Sequence, residues 1–489
     1  MILSKMINIL SIFCIQKLLL WEEKSILMVV IIKKALVISR GEFTLCSAVR
    51  GKNRMIVAKF GGSSLADAAQ FQKVKDIVFA DSRRMLIIPS APGRRFDKDE
   101  KVTDLLYLCH SQQKAGKSFQ KTFDEIQQRY FDIAKQLHLS LELKPYLQEI
   151  QQQMEEGASA DYCASRGEFL NGLLLANYLE FAFIDAAEVI FFDEQGAFDA
   201  EKTNSVLKKR LETVETAVIP GFYGSNPDGS IRVFSRGGSD ITGAIVARAA
   251  QAELYENWTD VSGFLMADPR IVTNPRPISH ITYHEMHELC CAGATVLHED
   301  CVYPVSSVGI PTNIRNTNLP QHPGTMITCN ALQREDFAIF AGVSGKKGFS
   351  LLVIEKEEPD HTWSFVQEVL SAVKKKGIKF QYLPSGTHCV CLLVETKQFL
   401  EKKDSFQDEI NKINIPYFIS IQPETAGIVL VGYGIIHNRL AVNRIYTALQ
   451  QQNIDVVMIN QGSGELSTWV GVAETEMEGA IRAIYEEFL

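Results

Sequence analysis

From Met55 onward the chain alternates short apolar runs with segments of helical period, and no other feature narrows the possible folds as much. Ile56–Phe60 (IVAKF) reads as a buried strand and Met85–Pro89 (MLIIP) as a second. Between them a helix is expected from about Ala66 to Ala80. Lys101 to Gln153 is polar and helix-periodic, and a further helix spans Ala164 to Tyr178. Strands follow near Ala186–Phe192, Thr216–Gly221 and Ile231–Ser235. The next helix is expected to run to Leu254, with Ile241, Ile245, Ala249 and Ala252 on one buried face. Strands separated by helices at this spacing predict an α/β fold, a mostly parallel sheet sandwiched by helices.

Two strand-to-helix junctions share a device. Lys59-Phe-Gly-Gly-Ser-Ser64 places glycines where backbone N–H groups can approach an anion, at the positive end of a helix, beside a lysine on the strand. Arg236-Gly-Gly-Ser-Asp240 repeats it with a guanidinium, whose planar fork suits a carboxylate. Each has a plain alternative, a tight turn in the first and helix capping by Ser239 or Asp240 in the second. Two such junctions in one sheet favour a kinase of small carboxylates. No GxxxxGK[ST] occurs, so this is not a P-loop protein.

The pattern changes after about Arg334. Phe337–Val343, Ser350–Ile354, a helix over Trp363–Lys376, Lys379–Leu383 and Val390–Val394 read as β-β-α-β-β. Gly427–Val431, a helix over Leu440–Gln452, Asp455–Ile459, Ser467–Val472 and a helix over Glu474–Phe488 form a second set. A repeat of about 80 residues predicts two ferredoxin-like βαββαβ modules with a regulatory role. The expected domains are 1–54, 55–330, 337–410 and 420–489.

With 46% hydrophobic and 22% charged residues, the 489-residue chain can bury several cores, and about two to four domains are expected. A net charge of -8 argues against a broad nucleic-acid footprint, so no nucleic-acid partner is expected. The ten cysteines include no CxxC pair and read as thiols of a reducing cytoplasm, with no protein-held metal. Met6–Leu20 is interrupted by Gln16 and Lys17, and Ile26–Ile32 ends at Lys33, so neither reaches the roughly 18 residues of a membrane span. Residues 1–54 are expected to stem from an upstream start, the native chain beginning near Met55; a weak membrane-associating tail is the alternative. His284-Glu285-Met-His287-Glu288 is not HExxH, and Gly432-Tyr-Gly434 lacks the third glycine of a dinucleotide loop.

Further motifs stand in order: Lys59-Phe-Gly-Gly-Ser-Ser-Leu65, Ser165-Arg-Gly-Glu168, Phe234-Ser-Arg-Gly-Gly-Ser-Asp240, Trp258-Thr-Asp-Val-Ser-Gly263, Asp268-Pro-Arg270 and Asn313-Ile-Arg-Asn-Thr-Asn318. From about Met55 to Leu489 the chain resembles the aspartate kinases, with tandem ACT modules at its C-terminus. The resemblance implies transfer of the ATP γ-phosphoryl group to L-aspartate, the first step toward lysine, threonine and methionine, with Mg²⁺ accompanying ATP. It implies that Lys59 stabilises the transferring group, that Gly61, Gly62 and Ser63 cradle phosphate, and that Asp240 orients Lys59. Arg236 would clamp the aspartate α-carboxylate beside Ser239, Glu168 would take its ammonium, and Thr103 would add a contact. Ser90, Gly237, Gly238, Thr259, Asp260, Arg270 and Thr295 would meet ATP or its phosphates. For Glu168 a solvated helix position is the plain alternative, and for Thr103 a cap. Two positions depart from the family: Thr295 stands where a lysine is usual, and Leu265 where many members have tyrosine.

The nucleophile of such a reaction is the substrate's own β-carboxylate, with a pKa of about 3.9, so no general base is required. Discrimination against glutamate would rest on the Arg236-to-phosphoryl distance, with one methylene worth about 1–3 kcal/mol. A kinase of glutamate, acetylglutamate or UMP is the nearest rival, and a non-catalytic amino-acid sensor a more distant one. The ACT pair further implies an amino-acid effector, lysine or threonine, near Glu355–Trp363, and a homodimer or dimer of dimers. With the last residue at Leu489, no fused homoserine dehydrogenase is expected.

Overall fold

Strand β1 (Ile56–Phe60) is buried along its whole length, which marks it as an interior strand covered on both faces. The computed structural model describes residues 55–489 except 236, 295–296, 298, 331–339, 357–361, 384–387, 414–416, 436–439 and 462–465. The segment 1–54 therefore lies outside the described residues, as do the expected site residues Arg236 and Thr295 and the expected strand start at 337–339.

After β1 come α1 (Ala68–Ala80), β2 (Arg84–Pro89), α2 (Val102–Lys114), α3 (Gln120–Gln136), α4 (Lys144–Glu155) and α5 (Ala160–Leu179). Then follow β3 (Ala182–Phe183), α6 (Ala186–Val189), α7 (Ala200–Leu211), β4 (Ala217–Val218) and the hairpin β5 (Tyr223–Ser225) with β6 (Ile231–Val233). Helix α8 (Gly238–Ala249), β7 (Leu254–Thr259), β8 (His280–Thr282), α9 (Tyr283–Cys291), α10 (Tyr303–Ser306), β9 (Thr312–Asn316) and β10 (Thr325–Thr328) complete the region. Among the described residues its sheet runs β3-β4-β2-β1-β7-β9-β10-β8, with only β9 and β10 antiparallel. Val57 packs with α8 in one core; Ala58 and Phe60 pack with α1 to α5 in another, on the opposite face.

Two expectations are corrected here. Ala186–Val189 is a turn of helix rather than strand, because the Asp185 side chain caps it by accepting from the Ala187 N–H at 3.0 Å. Helix α8 stops at Ala249 rather than Leu254, because Gln251 turns the chain through a left-handed conformation (φ +52°) and Leu254 opens the central strand β7.

The C-terminal region holds β11 (Gly342–Lys356), α11 (Thr362–Lys375), β12 (Phe380–Tyr382), β13 (Cys389–Glu395), α12 (Thr396–Ile410), β14 (Tyr417–Val431), α13 (Ala441–Gln451), β15 (Met458–Asn460), β16 (Ser467–Ala473) and α14 (Met477–Phe488). They form one antiparallel sheet, β12-β13-β11-β14-β16-β15. Strands β11 and β14 each span 15 residues and serve both halves of this sheet. Gly342–Lys346 pairs with Gly427–Val431 beside β16, while Phe349–Glu355 lies between β13 and the first part of β14. Gly348, at φ +92°, accommodates the register shift between the two stretches. Helix α12, absent from the sequence reading, buries Phe399, Phe406 and Ile410 along one face.

Candidate active site

The Lys59 glycine junction, the segment after β2 and Asp240 of α8 meet at the C-terminal edge of the parallel strands, where they enclose a cleft of about 840 Å³. Each strand end supplies a part. Lys59, buried near the end of β1, reaches into the cleft. Past it the Gly61 N–H bonds to the Trp258 carbonyl (2.9 Å) and the Gly93 N–H to the Gly62 carbonyl (2.8 Å). The two turns therefore touch backbone to backbone. A Cβ on Gly62 would sit 2.9 Å from the Ala91 oxygen, and one on Gly93 would sit 2.5 Å from the Gly62 carbonyl carbon. Only glycine allows that approach.

Asp240 arrives from the first turn of α8. Gly237, at φ +53°, starts that helix, and Gly221 leaves room for Ser239, since a Cβ there would lie 2.6 Å from the serine side chain. The Asp240 Oδ1 lies 2.6 Å from Lys59 Nζ. Strand β7 presents two side chains to the same residue: Asn257 Nδ2 donates to Asp240 Oδ1 (2.8 Å), and the Tyr255 hydroxyl donates to the Asp240 carbonyl (3.0 Å). Asn257 Oδ1 also receives Lys59 Nζ at 3.4 Å.

Glu168 stands in the middle of α5 and is 5% exposed. Its Oε2 has no hydrogen-bond partner although it is buried and its residue lines the cleft. Burial pushes its carboxyl up to about 8, against the opposing pull of the Ala91 N–H and of the Arg166 charge. Arg166 itself is engaged elsewhere, stacked on Tyr162 and Phe169 and donating to Ser165. A buried acid with one unpartnered oxygen leaves a hydrogen bond open to an incoming donor.

Of the residues singled out in the sequence, Lys59, Gly61, Gly62, Ser63, Ser90, Thr103, Glu168, Asp240, Thr259 and Asp260 line this one cleft. Ser239, Gly237 and Gly238 shape the start of α8 without being among the lining residues. Arg270 is also outside the lining; its side chain is 82% exposed and forms a bidentate pair with Asp268. Leu265 is likewise no lining residue, and it forms a bridge with Pro277. Glu285 of the histidine-rich segment is wholly buried, where it closes a capping box with Thr282 and accepts from the Tyr433 N–H (2.9 Å).

The comparisons with known proteins agree with this geometry. The amino acid kinase family model matches residues 54–316, and an ACT domain model matches 428–488. Aspartokinase 3 of Bacillus subtilis is 33% identical over 450 residues, a match covering 89% of this chain and 98% of that one. The chain belongs to the aspartokinases of the amino acid kinase family. The crystal structure of Clostridium acetobutylicum aspartate kinase superposes with a TM-score of 0.80 at 46% identity, covering 89% of this chain and all of that one. Escherichia coli aspartokinase III in complex with aspartate and ADP shares the fold at a TM-score of 0.70 and 22% identity, covering 88% of this chain and 99% of its own.

Several parts of the aspartokinase cleft escaped the sequence reading. Asn257 is one, although two polar residues in a row between Tyr255 and Trp258 inside a buried strand were a signal of it. Arg94, Arg95, Asp97 and Lys101 are others, all on the segment after β2.

Proposed function

We propose that this cleft transfers the γ-phosphoryl group of MgATP to the β-carboxylate of L-aspartate, giving ADP and 4-phospho-L-aspartate, with the magnesium ion arriving as part of the nucleotide substrate. The observation that carries the substrate reading is the idle, buried Oε2 of Glu168 in the same cleft as the Lys59–Asp240 pair. An α-ammonium at Glu168 restores the carboxylate charge that burial suppresses and fills its missing hydrogen bond. Thr103, on the same side of the cleft, adds a contact.

The β-carboxylate is already ionised at neutral pH, so the chain's work is alignment and charge compensation. Lys59, anchored by Asp240, offsets charge on the transferring group, and the N–H groups around Gly61, Gly62 and Ser63 approach the phosphates. Thr259, ending β7, and Asp260 after it face the nucleotide side. Arg236 as the α-carboxylate clamp and Thr295 as an ATP contact belong to the same reading.

The reading extends to regulation and assembly. An amino-acid effector, lysine or threonine, acts through the ACT modules, the chain assembles as a homodimer or dimer of dimers, and it works in the cytoplasm. Supporting this, an ACT domain model matches the chain, and among the described residues no helix is long and apolar enough to cross a membrane.

An ATP-dependent hydroxamate assay tests the reaction, because hydroxylamine traps an acyl phosphate directly. Aspartate, glutamate and no acceptor are run in parallel, with the Lys59→Ala variant as control. Signal with aspartate alone, lost in the variant, is expected. Equal signal with glutamate, or none with aspartate in a folded ATP-binding protein, would overturn the reading.

A further inference from the structure

The segment between Gly93 and Val102 forms one wall of the cleft, and a single buried side chain holds it at both ends. Arg129 of α3, 4% exposed, donates from Nη2 to the Gly93 carbonyl and from Nη1 to the Glu100 carbonyl at 2.9 Å. The same guanidinium lies 3.4 Å from Asp99. Asp99, also buried, accepts the Arg95 backbone N–H at 2.9 Å and its guanidinium at 2.8 Å. The Val102 N–H closes the base of the hoop on the Pro92 carbonyl at 3.2 Å. Two charges have thus been buried to shape a run of largely exposed residues. Burying charge is unfavourable unless it is paired and hydrogen-bonded, as Arg129 and Asp99 are here, and the bonds they make fix the shape of the segment.

What the hoop presents to the cleft is net cationic, Arg94 and Lys101 outweighing Asp97. Arg94 and Lys101 line the cleft and make no ion pair among the described residues, whereas the charge of Arg95 is taken up by Asp99. Its position follows from the strand order: β2 and β7 flank β1 on opposite sides. The hoop follows β2, on the side of Thr103 and Glu168, while Thr259 ends β7 and Asp260 follows it. On the aspartate kinase reading it therefore stands on the acceptor side of the cleft rather than the nucleoside side.

We propose that the hoop is a preformed cationic wall, in which Arg94 and Lys101 offset the negative charge that gathers when a carboxylate meets a phosphoryl group, and Arg129 is the positioning residue that holds them there. The proposal rests on the aspartate kinase reading for the acceptor. A carboxylate attacking a polyphosphate brings like charges together, and cations already in place need no reorganisation at the moment of reaction.

The test uses the full chain with Arg94→Gln, Lys101→Gln, the double variant, Lys101→Arg, and Arg129→Lys in both the wild-type and double-variant backgrounds. The readouts are kcat and KM for aspartate and for MgATP at low and high salt, with melting temperatures. Each glutamine variant is expected to lower kcat/KM for aspartate about tenfold and the double variant further, at unchanged melting temperature, with Lys101→Arg near wild type. The double variant should lose much of the wild-type salt dependence. Arg129→Lys should lower kcat/KM in the wild-type background and add little once both cations are gone. A double variant within twofold of wild type at both salt concentrations would overturn the proposal, as would an undiminished Arg129→Lys effect in its background. A wild type that phosphorylates a different acid with the same charge dependence would keep the hoop and sink the aspartate reading.

Discussion

Lys59 Nζ stands 2.6 Å from Asp240 Oδ1, and the same oxygen accepts from Asn257. The lysine is therefore aimed by a carboxylate that is itself aimed by the neighbouring strand. Asp240→Asn keeps the volume and removes the charge that holds the ammonium. We expect kcat to fall by about 10²–10³, with KM for MgATP moving less, as for the loss of a transition-state contact. Asn257→Ala, which loosens the carboxylate without removing it, should cost about tenfold. Steady-state kinetics check both, and an Asp240→Asn enzyme at wild-type kcat would show that the pair is structural only.

The contact between the two glycine turns predicts an intolerant position. In Gly62→Ala the new methyl would meet the Ala91 oxygen at 2.9 Å and the Gly93 nitrogen at 3.1 Å. Both are backbone atoms, so the turns must part, and overpacking of this kind costs about 1–3 kcal/mol. On the proposed reading the separation also opens the cradle for the phosphates. Activity should drop at least as steeply as stability, measured by hydroxamate formation and denaturant unfolding; full activity would show that the turns can separate freely.

A second stability prediction concerns the charge cluster centred on Glu256 of β7. Glu256, 2% exposed, receives Arg84 through two bonds at 2.7 and 3.1 Å and the Trp258 indole N–H at 2.9 Å, while Arg315 lies 3.4 Å away. Both guanidinium groups also pack on the Trp258 ring. Glu256→Gln leaves the buried Arg84 and the half-buried Arg315 without their anion, a change worth about 3–5 kcal/mol. Urea unfolding should show that loss, and a midpoint like that of the wild type would mean the arginines find water instead.

How much of this was legible before the structure depends on how far each signal reaches along the chain. Ile56–Phe60 announces itself as an interior strand because every side chain is apolar or aliphatic-stemmed, and the glycines after it mark the turn that follows. Lys59, Asp240 and Glu168 were found by motif, and they do line one cleft. Asn257 was not, because its role exists only once β7 lies beside β1 and beneath α8. Helix α12 was hidden by its charged positions, which mask Phe399, Phe406 and Ile410 in a local reading. The sharing of β11 and β14 between the two halves of the C-terminal sheet is a pairing between residues 61 to 89 apart, and local periodicity carries no trace of it.

The Glu168 carboxyl makes the ligand-free protein and its substrate binding respond to pH in opposite directions. Burial raises it from 4.5 to about 8. Across that window the folded, ligand-free protein keeps a proton that the unfolded chain has released, so stability falls as pH rises and levels off above about 8. On the proposed reading aspartate needs the ionised form, because its ammonium would pair with the Glu168 carboxylate. Below about 8 binding must therefore expel a proton, and affinity should rise with pH by at most about tenfold per unit before flattening. Glu168→Gln removes both trends, raising KM for aspartate while flattening the pH dependence of melting temperature. Calorimetric titration of aspartate near pH 7 in buffers of different ionisation enthalpy counts the proton directly. Release of close to one proton in the wild type and none in the variant is the expected result. No release in the wild type would mean that Glu168 is already ionised in the empty cleft, and that its idle oxygen meets water rather than waiting for the substrate.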